Sequence, residues 1–317
     1  MAPREKNITS EEKSLLLLKN DVIFKMVFGD EKNKSILRAF LTAILDLPPE
    51  EYDEISITDP HLRIESPDGK LGILDLFIKT KEGKQIDVEI QVTRTPFMKE
   101  RITSYTGKML AVQLKSGDEY KEIKKVIAIV ILDYNLVSDS DYFHNKYVLH
   151  DPKTGSLFTD VMEIHTLELK KLPDLPEENR KIAEQIYWLS LIKAEREEEI
   201  EMLATKVPEI GDAYEVIKRL SQDEEVRLLY ESREKAIRDE QARLYGARRE
   251  GRREGHREGR REGERDKAIE VTRRTLEMGM SVAQAAKIAG LTISEAEEVK
   301  EKMTVAKNML DAGSEVS

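Results

Sequence analysis

Four polar side chains interrupt two otherwise apolar runs: Asp75 within Leu71–Ile78, and Asp87, Glu89 and Gln91 alternating with Ile86, Val88, Ile90 and Val92. Period-two alternation puts the second set on one face of a strand. In the preceding run Ile73, Asp75 and Phe77 share a face. Between the runs, Lys81-Glu82-Gly83 reads as a three-residue hairpin loop with glycine at the left-handed position. If Thr80 pairs with Lys84, Asp75 stands directly opposite Glu89, with Cβ atoms about 5 Å apart. A slip of one residue would send the two carboxylates to opposite faces. Two like charges this close repel, and a purely structural sheet gains nothing from them. A divalent cation reverses the sign, and Mg²⁺, with Mn²⁺ as a substitute, suits a few hard oxygen ligands that leave positions for water and phosphate. The same alternation also describes a one-sided antiparallel strand whose acids face water. Against that reading, Asp and Glu are poor strand formers, and an ionised Asp75 needs a partner once buried.

The elements that must position these groups are legible on either side. Asn20 or Asp21 caps a helix carrying Ile23, Val27 and Phe28 and closed by Gly29, and a second helix carries Ile36 to Leu45 before Pro48-Pro49. Strands are expected at Glu54–Thr58, His61–Glu65, Leu71–Thr80 and Gln85–Val92. A helix spans 97–115, with Ile102, Met109 and Val112 at helical spacing. Val126–Leu132, the most apolar run, reads as a buried central strand. Further strands fall in 142–170 around a turn at Asp151–Gly155. Arg101, Tyr105 and Lys108 share one helix face, available to a DNA backbone or to nearby acids.

The chain has 317 residues, no cysteine, and 52 basic against 62 acidic residues, for a net charge of −10. A disulfide framework and a thiol nucleophile are excluded. The start lacks an apolar signal core and Leu15–Leu18 is too short for a bilayer, so a cytoplasmic setting without membrane contact is expected. Net acidity argues against charge-driven coating of nucleic acid, though an enzyme that meets phosphates through metal ions must itself be acidic at its site.

Asp75 followed by Glu89-Ile90-Gln91 resembles the Asp…Glu-x-Lys motif of the PD-(D/E)XK nucleases. More closely, the chain is similar to the Rpn-type recombination-promoting nucleases, also described as PD-(D/E)XK nuclease family transposases or YhgA-like proteins. Asn20-Asp21, Phe24-Lys25, Phe28-Gly29, Ile36-Leu37 and Phe40-Leu41 carry the resemblance before the motif. Arg101, Tyr105, Gln113-Leu114, Gly117, Tyr120 and Ile129–Tyr134 carry it afterwards, over about residues 20–245. It implies an α/β restriction-endonuclease-like core, a mixed sheet flanked by helices, followed by an all-helical C-terminal region. It also implies Mg²⁺-dependent hydrolysis of DNA phosphodiesters, promoting recombination or transposition. By position, Asp75 and Glu89 are the metal ligands, and Gln91 takes the lysine position, where it orients by hydrogen bonds and supplies no charge. Asp21 is an accessory acid reaching the site from the first helix, and Asp87 an outer group on the shared face. The alternative is a weak or inactive nuclease fold acting as a DNA-binding or protein-interaction module.

Four divisions are expected: the nuclease-like domain at 15–170, a helical extension packing on it at 171–245, a Gly/Arg/Glu repeat at 246–267, and a small helical module with a polar tail at 268–317. In the extension, Ile182, Ile186, Trp188, Leu189 and Ile192 mark one helix with Trp188 in the core. Ala213, Val216, Ile217 and Leu220 mark another, and Ser221 with Glu224 forms a capping box for a third bearing Val226, Leu229 and Tyr230. The repeat places glycines at 246, 251, 255, 259 and 263 among nine basic and six acidic residues. It reads as a homo-oligomerising helix or a linker, with an arginine-driven DNA contact weakened by the glutamates. Helices at Ala268–Met278, Ser281–Ala289 and Ser294–Met303 resemble a helix-turn-helix, but Glu295, Glu297, Glu298 and Glu301 on the last would repel phosphates and favour packing. The five histidines show no metal-ligand spacing.

Overall fold

The computed structural model describes residues 14–58, 61–62, 72–73, 75–175 and 181–314. The chain divides into two compact units, Met1–Arg238 and Asp239–Ser317. In the first unit the Asn20 side chain accepts from the Val22 N–H and starts α1 (Asp21–Phe28), whose buried side is Ile23, Phe24, Val27 and Phe28. A second amphipathic helix, α2 (Lys34–Ile44), buries Ile36, Leu37, Phe40 and Leu41. After β1 (Ser56–Thr58) come β2 (His61–Leu62) and β3 (Gly72–Ile73), which form a two-stranded sheet of their own. The single strand expected over Leu71–Thr80 is therefore split: β4 (Leu76–Lys79) starts only after Asp75, which sits at the junction. Glu65 and Leu71, the expected outer ends of two strands, lie outside the described residues.

The main sheet adds β5 (Gln85–Gln91), β6 (Val126–Leu132), β7 (His144–His150) and β8 (Leu157–Glu168), with α3 (Met98–Ala111) crossing from β5 to β6. Its order is β1-β4-β5-β6-β8-β7, with β5, β6 and β8 parallel and the outer pairings antiparallel. β6 is buried along its whole length, as a strand covered on both faces must be. Ile127, Ile129 and Ile131 join the main core with α1 and α2, while Ala128, Val130 and Leu132 pack with Met98 and Ile102 of α3.

The helices after the sheet share that main core. Trp188 of α4 (Lys181–Lys193) is 1% exposed, with Phe28 and Phe40 rings 6.0 and 5.9 Å from its own. Ile182 is 62% exposed, so it lies on the outer side of this helix and not with the others. A short helix that hydrophobic spacing did not disclose, α5 (Glu197–Ala204), precedes α6 (Pro208–Gln222). The capping box expected of Ser221 and Glu224 is not formed. Ser221 ends inside α6, donating to the Ile217 carbonyl and accepting from the Leu16 N–H, and Asp223 accepts from the N–H groups of Glu225 and Val226 instead. That start opens α7 (Glu224–Glu277), in which Val226 is buried and Leu229 is half exposed.

The Gly/Arg/Glu tract lies within α7, and so do residues 268–277; no break sets off a separate helix there. In the second unit Ser281 and Gln284 form a capping box at α8 (Val282–Ala289), and Gly290 ends it at φ +71°. The last helix, α9 (Ile293–Ser314), runs past Met303 through most of what reads as a polar tail. Glu295 accepts from the Thr292 N–H and hydroxyl, so one of the four glutamates of α9 is spent on capping.

Two histidines belong to a buried chain on the α4 side of the sheet. His144 Nε2 lies 2.7 Å from His165 Nδ1, His165 Nε2 lies 2.6 Å from Glu163 Oε1, and His144 Nδ1 lies 3.2 Å from Gln185 Oε1. Among the described residues no helix is long and apolar enough to cross a membrane.

Candidate active site

The hairpin between β4 and β5 sets the geometry. Thr80 N–H donates to the Lys84 carbonyl at 3.0 Å, and Gly83 takes φ +86°. Only glycine adopts that backbone without a Cβ clash. The register that follows pairs Leu76 with Val88 and Phe77 with Asp87, so one further step brings Asp75 opposite Glu89. Asp75 is tied to the end of β5, where its Oδ2 accepts from the Ile90 N–H at 3.2 Å. Alternation along β5 turns Asp87 and Glu89 to the α3 side of the sheet, each 3% exposed.

Around these carboxylates stand few compensating charges. Lys25 of α1 places Nζ 2.9 Å from Asp75 Oδ1, and Arg101 of α3 places Nη2 4.0 Å from Glu89 Oε2. Gln91 Nε2 reaches Glu89 Oε2 at 3.5 Å. Glu89 Oε1, Asp87 Oδ1 and Arg101 Nε are buried with no hydrogen-bond partner in the protein. Burial, then the Asp75 charge, pushes the Glu89 carboxyl up to about 7, against the pull of Arg101 and Lys25. Burial, then the charges of Glu89 and Asp75, holds Asp87 well above the usual carboxylate range. Burial thus makes the charged forms of Asp87 and Glu89 costly, with the cations Lys25 and Arg101 close by.

The site brings together Asp75, Asp87, Glu89, Gln91 and Arg101. Tyr105 continues along α3, with the Arg101 guanidinium 5.3 Å and the Lys108 ammonium 5.4 Å from its ring centre, so these three do share a face. Asp21 is engaged elsewhere: its Oδ1 accepts from Arg233 Nε of α7 at 2.6 Å. Lys25 is the member that sequence reasoning did not place. It lies 50 positions before Asp75, and no local pattern connects the two. Tyr134, just past β6, adds a buried hydroxyl without a partner, pushed up to about 12 by burial and so a neutral donor.

The family model of the PD-(D/E)XK nuclease family transposases matches residues 18–247. The chain belongs to that family. The match takes in the chain's main sheet and the helices α4 to α6 that share its core, as well as the Asp75–Glu89 hairpin. No curated protein and no solved structure matches the chain significantly. Nucleases of the family act with divalent metal ions. Among the described residues no three His, Asp or Glu side chains form a ready metal cage. Asp75 and Glu89 nevertheless fit a hard cation: an opposed pair of carboxylates, one with a buried, unpartnered oxygen, suits an ion that keeps several water ligands.

Proposed function

We propose that the chain is a metal-dependent DNA endonuclease that hydrolyses phosphodiester bonds in recombination or transposition. The observation that carries this reading is the hairpin register that sets Asp75 against Glu89 beside a buried carboxylate oxygen lacking any partner. Asp75 and Glu89 would hold Mg²⁺, for which Mn²⁺ can substitute. When bound, the ion supplies Lewis-acid polarisation of the phosphate and a lowered pKa for water.

The chain's own residues do the rest. The Ile90 N–H and Lys25 fix the two Asp75 oxygens, which orients the carboxylate before substrate arrives. Gln91 lies within reach of Glu89 and carries no charge, so it orients by its amide. The missing motif cation is made good by Lys25, whose ammonium approaches the same pair of carboxylates from α1 and can stabilise charge developing on the phosphate. Arg101, Tyr105 and Lys108 offer a cationic helix face for the DNA backbone next to the carboxylates. Asp87 stands behind Glu89 as an outer group, and Asp21, through Arg233, holds α1 and with it Lys25. The presence of Lys25 favours an active enzyme over an inert nuclease fold.

Thermal melting with and without Mn²⁺ tests the site independently of cleavage. Wild-type protein should melt at a higher temperature as Mn²⁺ is added. Asp75→Ala and Glu89→Ala should show no such rise. Equal stabilisation of all three would move the metal elsewhere.

A further inference from the structure

On the same sheet face as Glu89, beside α3, lies a cavity of about 320 Å³. Ile102 and Ile164 give it apolar walls, and the Tyr147 ring, 41% exposed, stands at its edge. Thr166 also lines it, only 3% exposed, and its Oγ1 has no hydrogen-bond partner in the protein. A buried hydroxyl left unpaired is costly, and this one can both donate and accept. Lys99 of α3 and Asp139 complete the charged part of its lining.

The position follows from the register. Glu89 pairs with Val130 and Val130 with Thr166, so two strand spacings, about 10 Å, separate the carboxylate from the hydroxyl. The helix that carries Arg101 toward Glu89 also supplies Lys99 and Ile102 to the cavity. A strand of DNA whose phosphate sits at the carboxylates has a neighbouring base within reach of this cavity.

We propose that the cavity is a nucleobase pocket, taking one unstacked base of the DNA strand next to the phosphate that is cut. Its volume is at the small end of ligand pockets, and its make-up is that of sites that hold an extruded base: an aromatic edge, aliphatic walls and one buried polar group. Lys99 is the lining cation that can receive the nucleotide's phosphate, which Asp139 repels. The pocket rests on the DNA-cleaving reading above and gives that enzyme a means of choosing bases or unpaired sites.

Full-length protein with labelled isoleucine methyls, titrated with dAMP, dCMP, dTMP and 2-deoxyribose 5-phosphate, tests the pocket without any cleavage. At least one base-bearing monophosphate should shift the Ile102 and Ile164 methyls saturably, and the baseless sugar phosphate should not. Thr166→Val should weaken that binding about three- to tenfold, the range for one neutral hydrogen bond. Tyr147→Ala, at a half-exposed position, should weaken it too. Absence of shifts at these methyls, an equal response to the sugar phosphate, or unchanged affinity in both variants overturns the proposal. Nucleotide binding here in a protein that leaves DNA uncut keeps the pocket and removes the nuclease reading. Metal-dependent cutting without these shifts does the reverse.

Discussion

In the proposed mechanism Lys25 and Gln91 divide between them what one lysine does in the motif that the chain resembles. A lysine at 91 would put charge next to Glu89 from the strand itself, whereas Lys25 brings it from α1 to Asp75. The Lys25–Asp75 pair is partly exposed, so its loss costs roughly 0–1 kcal/mol of stability. If it faces the charge of the transition state as proposed, its loss there costs far more. Lys25→Ala should lower kcat about 10²- to 10³-fold with little change in melting temperature. Adding Gln91→Lys to that variant should restore part of the rate, which plasmid-nicking kinetics would read. No loss in Lys25→Ala would confine Lys25 to a structural ion pair.

At the scale of elements, β8 carries a pH dependence of its own. Burial alone would raise the Glu163 carboxyl, but hydrogen bonds from His165 and Lys125, with Lys146 behind them, hold it down at about 2. Its ordinary value is 4.5, so the stabilisation is complete above that pH and is lost as the pH falls through about 2. The gap corresponds to on the order of 3 kcal/mol. His144 works in the same direction: burial and His165 lower its pKa, so the unfolded chain binds its proton first and acid destabilises the fold. Denaturant unfolding at a series of pH values should show Glu163→Gln less stable at neutral pH, with a flatter acid limb between 4.5 and 2. An unchanged slope would remove Glu163 from the account. This His–Glu chain was not legible in the sequence, because its members meet across strands and α4 with no shared spacing. The Asp75–Glu89 pairing was legible, because a glycine-bearing loop fixes register and period-two alternation fixes the face. Asp75's place at a strand junction was not, since an unbroken apolar run hides where pairing changes partner. The capping error at α7 has the same character: Ser221 and Asp223 both suit an N-cap, and only the Leu16 N–H claims Ser221.

For the molecule as a whole, the feature that matters is the row of glycines along α7. An added Cβ at Gly251, Gly255 or Gly259 meets nothing within 4 Å, so alanine fits at each position. In a solvated helix each replacement should stabilise by up to about 1 kcal/mol. We expect the triple alanine variant to be more helical by circular dichroism; if the tract is a homo-oligomerising helix whose glycine stripe admits a second copy, the variant should also sediment at lower mass. Unchanged mass would leave the tract a solvated helix. Whether the carboxylates hold a catalytic metal is decided by cleavage of supercoiled plasmid with Mg²⁺, Mn²⁺ or EDTA, with Asp75→Ala and Glu89→Ala alongside. The account predicts nicking that needs the metal and disappears in both variants. Nicking that survives in either variant, or none from wild-type protein with any of the metals, would contradict it.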